Sequence, residues 1–61
     1  MNLNKLAASR TGTKPSEWQE IDGPDSGVGQ DYWLLNQARN LTAYINIDQG
    51  HAEVSITENE E

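Results

Sequence analysis

The sequence predicts an α+β fold: a small antiparallel β-meander of three strands, or four if Trp18 lies on one, with one short N-terminal helix. Three observations lead there. Leu41, Ala43, Ile45 and Ile47 alternate with Thr42, Tyr44, Asn46 and Asp48, and Ala52, Val54 and Ile56 alternate with His51, Glu53, Ser55 and Thr57. A period of two with β-branched enrichment is the signature of half-buried strands. At the other end, Leu3, Leu6, Ala7 and Arg10 fall at helical spacing, and the whole chain of 61 residues has room for one small domain only.

Residues 1–10 are expected to form the short helix, with Asn2 or Asn4 as its cap and Gly12 just past its end. So short a helix is marginal in water and needs a surface for its Leu stripe, the alternative being a basic arm that orders on a partner. Residues 11–15 read as a linker. Over 16–22 two patterns compete. Ser16 with Gln19 resembles a capping box and Trp18 with Ile21 a helical pair, whereas Trp-Gln-Glu-Ile suits a short strand; strand is the preferred reading. Residues 23–29, with Gly23, Pro24, Asp25, Ser26, Gly27 and Gly29, are a loop on either reading.

Tyr32 to Leu35 is an unbroken apolar run, so periodicity does not choose between helix and strand for 31–38. A third strand would stabilise an otherwise marginal hairpin. With 36–40 as its turn, Leu35 would face Leu41 and Trp33 would face Ala43, extending one apolar face. For the last hairpin the register can be tested. A two-residue turn at Gln49-Gly50 sets Asp48 opposite His51, Ile47 opposite Ala52, Ile45 opposite Val54 and Ala43 opposite Ile56. A turn longer by one residue would put Ile47 opposite His51 and turn the apolar set to the wrong side. The sheet thus spans 16–57, and 58–61 is expected to be a frayed acidic tail.

The formal net charge of −6 divides unevenly: residues 1–16 hold Lys5, Arg10 and Lys14 and no acid, while 17–61 hold all ten acids and Arg39 alone among the bases. One base in the body argues against a conventional nucleic-acid-binding domain, which needs clustered Lys and Arg. Without Cys there is neither a disulfide nor a thiolate metal site, and one His makes zinc improbable. No metal or cofactor is therefore expected. No apolar stretch is long enough for a signal h-region or a membrane span, so the expectation is a soluble cytoplasmic protein.

Individual residues offer little chemistry. His51 would need an orienting carboxylate and a nucleophile in a cleft to act as a base, and it is expected on the outer face beside the turn, near Asp48 and Glu53. Asp22, Asp25 and Gly27 lack both the spacing and the downstream Glu of a calcium loop. The glycines of 23–29 lack the strand-to-helix setting and Lys of a phosphate cradle. Trp18 and Trp33 are expected in the core. Tyr44, alternating outward, is the expected anchor for a protein contact. No catalytic constellation converges, so an enzyme is not expected.

The acids are then the main candidate. Glu17, Glu20, Asp22, Asp25, Asp48 and Glu53, with Tyr44, form the expected partner-binding set, since same-face strand positions lie about 6.6 Å apart and an acidic face is steered to a basic one. The expectation is an inhibitor that occupies the basic, nucleic-acid-binding surface of a partner protein by mimicry, without touching nucleic acid or membrane itself. Phage-encoded anti-defence proteins, such as anti-CRISPR and antirestriction proteins, are similar in size and charge; the likeness is one of composition, with no shared motif, and would imply the host cytoplasm. The alternative is a structural or accessory subunit that docks into a larger complex, or a homodimer, through its sheet edge or the Leu3/Leu6 stripe.

Overall fold

The structure, a computed structural model, describes residues 2–60. Helix α1 (Leu3–Thr11) is followed by a single 3₁₀ turn (Pro15–Glu17) and four strands: β1 (Gln19–Ile21), β2 (Gln30–Asn36), β3 (Leu41–Asp48) and β4 (His51–Glu58). They form one antiparallel sheet in chain order, β1-β2-β3-β4. The predicted α+β meander is what the chain adopts, with the fourth strand present and Trp18 just ahead of it.

Each element follows from local chemistry. Asn2 caps α1 by accepting from the Lys5 amide at 3.1 Å, and Gly12, with φ 68°, closes it by donating its N–H to the Ala8 carbonyl. Asn4, the other candidate cap, instead donates its side-chain amide to the Trp18 carbonyl at 3.1 Å. The stretch read as a linker is tied down: Thr11 Oγ1 donates to the Ala7 carbonyl, lies 2.8 Å from Thr13 Oγ1, and Thr13 Oγ1 accepts from Trp18 Nε1 at 2.8 Å. Both readings of 16–22 are partly realised. The helical turn comes first, capped not by Ser16 and Gln19 but by Glu17 Oε2, which accepts from the Lys14 amide at 2.8 Å. The strand then starts at Gln19.

The last hairpin has the register derived from alternation, Asp48 to His51 through Ala43 to Ile56, around Gln49 (φ 49°) and Gly50 (φ 80°). Positive φ at both central residues is the type I′ turn that matches strand twist. Ladder order runs into the expected tail of 58–61: β4 includes Glu58, the Asn59 amide donates to the Asn40 carbonyl at 2.9 Å, and Asn40 Nδ2 to the Asn59 carbonyl at 2.7 Å. Glu61 lies outside the described residues.

Between β2 and β3 the register differs from expectation by one. Asn36 pairs with Leu41, Leu34 with Ala43 and Trp33 with Tyr44, so the turn is Gln37–Asn40, with Asn40 at φ 57°. A one-residue shift exchanges the two faces of a strand. Leu34, not Leu35 or Trp33, points into the core, and Trp33 stands on the opposite face against the Tyr44 ring, centroids 4.6 Å apart. Asn36 occupies the inward position that a Leu would be expected to hold. It is fully buried, its Oδ1 accepts from the Arg39 amide at 3.1 Å, and its Nδ2 has no hydrogen-bond partner.

The buried core is small: Ala7 and Ala8 from α1, Trp18, and Leu34, Ala43 and Ile45 from the sheet. Leu3 and Leu6 pack against it half-buried, as do Tyr32, Leu41, Ile47, Val54 and Ile56. The even-numbered residues of β2 and β4 and the odd-numbered ones of β3 make this helix-facing side; the other side of the sheet carries no helix. Replacing Leu34 by Ala should cost about 2–5 kcal/mol, while Leu35→Ala on the outer face costs about 1 kcal/mol or less. Urea unfolding of both variants checks the register, because the reverse order would return Leu35 to the core.

Candidate partner-binding surface

The outer face is partly roofed by the loop between β1 and β2, and one carboxylate holds that roof. Asp31, at the start of β2, lies in one cross-strand row with Asn46 of β3 and Glu53 of β4. Its side chain accepts from the Ser26 amide at 2.7 Å, the Ser26 hydroxyl at 2.9 Å, Asn46 Nδ2 at 2.8 Å and the Tyr44 hydroxyl. Asn46 Nδ2 also reaches the Val28 carbonyl at 2.8 Å, and Trp33 Nε1 donates to the Pro24 carbonyl at 3.0 Å. Two glycines permit the close approach. A Cβ on Gly23 would collide with the Trp33 ring, and one on Gly29 with the backbone of Ile47 and Asp48.

These donors favour the ionised form of Asp31 over the protonated one. The Tyr44 hydroxyl, then Asn46 and the Ser26 amide, hold its carboxyl well below the usual carboxylate range. Glu17 is held down more mildly by the Lys14 amide and by Arg39, whose Nε lies 3.1 Å from its Oε1.

The expected binding residues separate into three groups. Asp48 and Glu53 share the outer face of the last hairpin as diagonal cross-strand neighbours and, with His51 and Val28, flank a shallow hollow between hairpin and loop. Asp22 and Asp25 are exposed on the loop, Asp25 accepting from the Gly27 amide at 2.9 Å, and Asp22 borders a second shallow depression with Glu20 and Trp33. Glu20 itself pairs with Leu34, on the side of the sheet away from Glu53, and is exposed at the edge.

Two members of the set are already engaged. Glu17 caps the 3₁₀ turn and pairs with Arg39, and Tyr44 gives its hydroxyl to Asp31 and its ring to Trp33, so it is a half-buried structural residue rather than a free anchor. The exposed large apolar side chain of the described residues is Val28, 58% exposed at the loop tip.

Asp31 is the residue that sequence reasoning missed. Its signal was available in hindsight, as an acid opening a strand whose outward neighbours on β3 are the donors Tyr44 and Asn46. Among the described residues no group of three or more His, Asp or Glu side chains is arranged to hold a metal ion, and no helix is long and apolar enough to cross a membrane. No family model, curated protein or solved structure matches the chain.

Because the folded-state value of Asp31 is depressed, its contribution to stability is complete above about pH 5 and is lost as pH falls through the ordinary value near 3.8 towards the lower folded one. The stability gap between wild type and Asp31→Asn, from urea unfolding, should be widest near neutrality and close below pH 4. A gap independent of pH would mean that the carboxylate charge does not hold the loop.

Proposed function

We propose that this is a small cytoplasmic binding protein that acts by occupying a basic, nucleic-acid-binding surface of a partner protein, as an inhibitor by mimicry of the kind found among phage anti-defence proteins. The observation that supports this reading is that four exposed acids share the outer side of the sheet and its loop, a side with no Lys or Arg, while Glu20 and Glu58 lie on the helix-facing side with the bases. Lys5, Arg10 and Lys14 belong to the helical layer on one side of the sheet. The outer face and its loop carry Asp22, Asp25, Asp48 and Glu53, with Asp48 and Glu53 about 7–8 Å apart as diagonal neighbours. A surface of one sign opposite a layer of the other orients approach to a basic groove before contact is made. Val28 adds one exposed apolar side chain beside Asp48 and Glu53.

The set is narrower than composition suggests. Glu17 and Tyr44 are spent within the fold, and Glu20 looks away from Glu53. The alternative reading, docking through the Leu3/Leu6 stripe, has less to stand on, since both side chains face the chain's own core.

The test is capture of host proteins on the immobilised chain, followed by affinity measurement with the partner obtained. Binding should weaken steeply with salt, be displaced by duplex DNA, and fall at least tenfold when Asp22→Asn, Asp25→Asn, Asp48→Asn and Glu53→Gln are combined. Binding that ignores salt, or that survives both the competitor and the neutralised variant, overturns the mimicry reading.

A further inference from the structure

We propose that the free edge of β4 is a self-pairing surface, and that two copies of this chain join there, antiparallel, into one continuous eight-stranded sheet with Val54 opposite Val54 at the two-fold axis.

The edge is identified by which backbone groups the sheet leaves unpaired. In a type I′ hairpin with a two-residue turn, the flanking residues Asp48 and His51 form a hydrogen-bonded pair, and such pairs recur at every second residue. Asn46 with Glu53, Tyr44 with Ser55 and Thr42 with Thr57 follow, and the Asn59 amide donating to the Asn40 carbonyl continues the same series. The odd-numbered residues of β4 therefore bond to β3. The N–H and C=O groups of Ala52, Val54, Ile56 and Glu58 point away, along the outside of an eight-residue strand. The opposite edge of the sheet is β1, three residues long. A long regular edge is a template for another strand; α1 packs against β4, and among the described residues no hydrogen bond engages the outward N–H and C=O groups of 52, 54, 56 and 58.

The sequence of β4 matches itself in one register. With Val54 on the axis, Ala52 faces Ile56 of the second copy on the helix-facing side. On the outer side Glu53 faces Ser55 and His51 faces Thr57, so no acid directly opposes an acid. Moving the axis to Glu53 would place two carboxylates face to face, and moving it to Ser55 would set Ala52 against Glu58. Ala52, Val54 and Ile56 are all half-buried in the single chain, so the pairing would extend a core that is otherwise small. A two-fold axis through one strand edge also closes the assembly at two copies.

The net charge of −6 on each copy opposes association, so the dimer should tighten as salt rises. This is the reverse of the response expected of a complex with a basic partner, and either idea can fail without the other. Sedimentation equilibrium of the full chain in high salt should show concentration-dependent dimer; a monomer throughout overturns the proposal. Amide exchange by NMR gives the edge. Residues 52, 54 and 56 should exchange fast in dilute samples and slow as the dimer fills, while 53, 55 and 57 are protected in both. Dimer without that change overturns it too.

The register is read by Ser55→Glu, which sets an acid opposite each Glu53, and Ser55→Lys, which sets a base there. Ser55 is exposed on the outer face, and the two changes should raise and lower the dimer Kd roughly fivefold. Gln37→Glu carries the same net charge as Ser55→Glu but lies in the β2–β3 turn, and should change Kd far less. Equal responses at positions 37 and 55 overturn the register.

Discussion

The parity of β2 decides what both faces of this sheet can do, because Leu34 and Asn36 face the helix only if Asp31, Trp33 and Leu35 face the other way. That parity is set by the four-residue turn Gln37–Asn40, held by the Asn36 side chain on the Arg39 amide and by Asn40 in the left-handed region. Asn is among the few residues besides Gly that adopt that conformation readily. Burying Asn36 with an unpaired N–H costs about 1–3 kcal/mol by itself, which is large for a domain of this size. The compensation is that one carboxylate, one indole and one phenol arrive together on the outer face. There they hold the loop between β1 and β2, whose Val28 is exposed.

The way the outer face is built follows from how little the inner face can hold. Two of the core residues from the helix are alanines, and the largest fully buried side chains are Leu34, Ile45 and Asn36. A core of that volume leaves Trp33 without room, and its indole N–H would be costly to bury unpaired. Outside, the same ring stacks on Tyr44, lies beneath Gly23 and donates to the Pro24 carbonyl. Trp18 does fit within, because Thr13 lies close enough to accept from its Nε1. The two tryptophans thus sit on opposite sides of one sheet for the same reason, the location of an acceptor.

What could be read from the sequence follows the same physics. The last hairpin was legible to the residue, since strict alternation across two strands admits only one register at Gln49-Gly50. β2 was not, because Tyr32 to Leu35 is apolar at every position and carries no parity; a turn one residue too long then sent Trp33 inward and Leu34 outward. Capping at Asn2 and Gly12 is local and was read, whereas the Lys14–Glu17 cap has no conventional N-cap side chain to announce it. Asp48 and Glu53 could be placed on the outer face from their strand positions alone. Asp31 could be singled out only with the correct β2–β3 register, which sets it opposite Asn46 and beside Tyr44.

The distribution of charge is a consequence of layering rather than an addition to it. A helix that covers the apolar side of a sheet places its own polar side chains on that side of the molecule, and in this chain the charged ones are Lys5 and Arg10, with Lys14 just beyond. The strands must then alternate apolar residues towards the helix with polar ones away from it, and on β3 and β4 the charged outward choices include Asp48 and Glu53. Asp31 also lies on this face but is engaged by Ser26, Tyr44 and Asn46, while Glu17 is paired with Arg39 at the far turn. Of the other acids, Glu20 and Glu58 lie on the helix-facing side, whereas Asp22, Asp25, Asp48 and Glu53 lie on the loop and outer face, where the sheet is least covered. A net charge spread evenly over the same chain would have no such preferred direction.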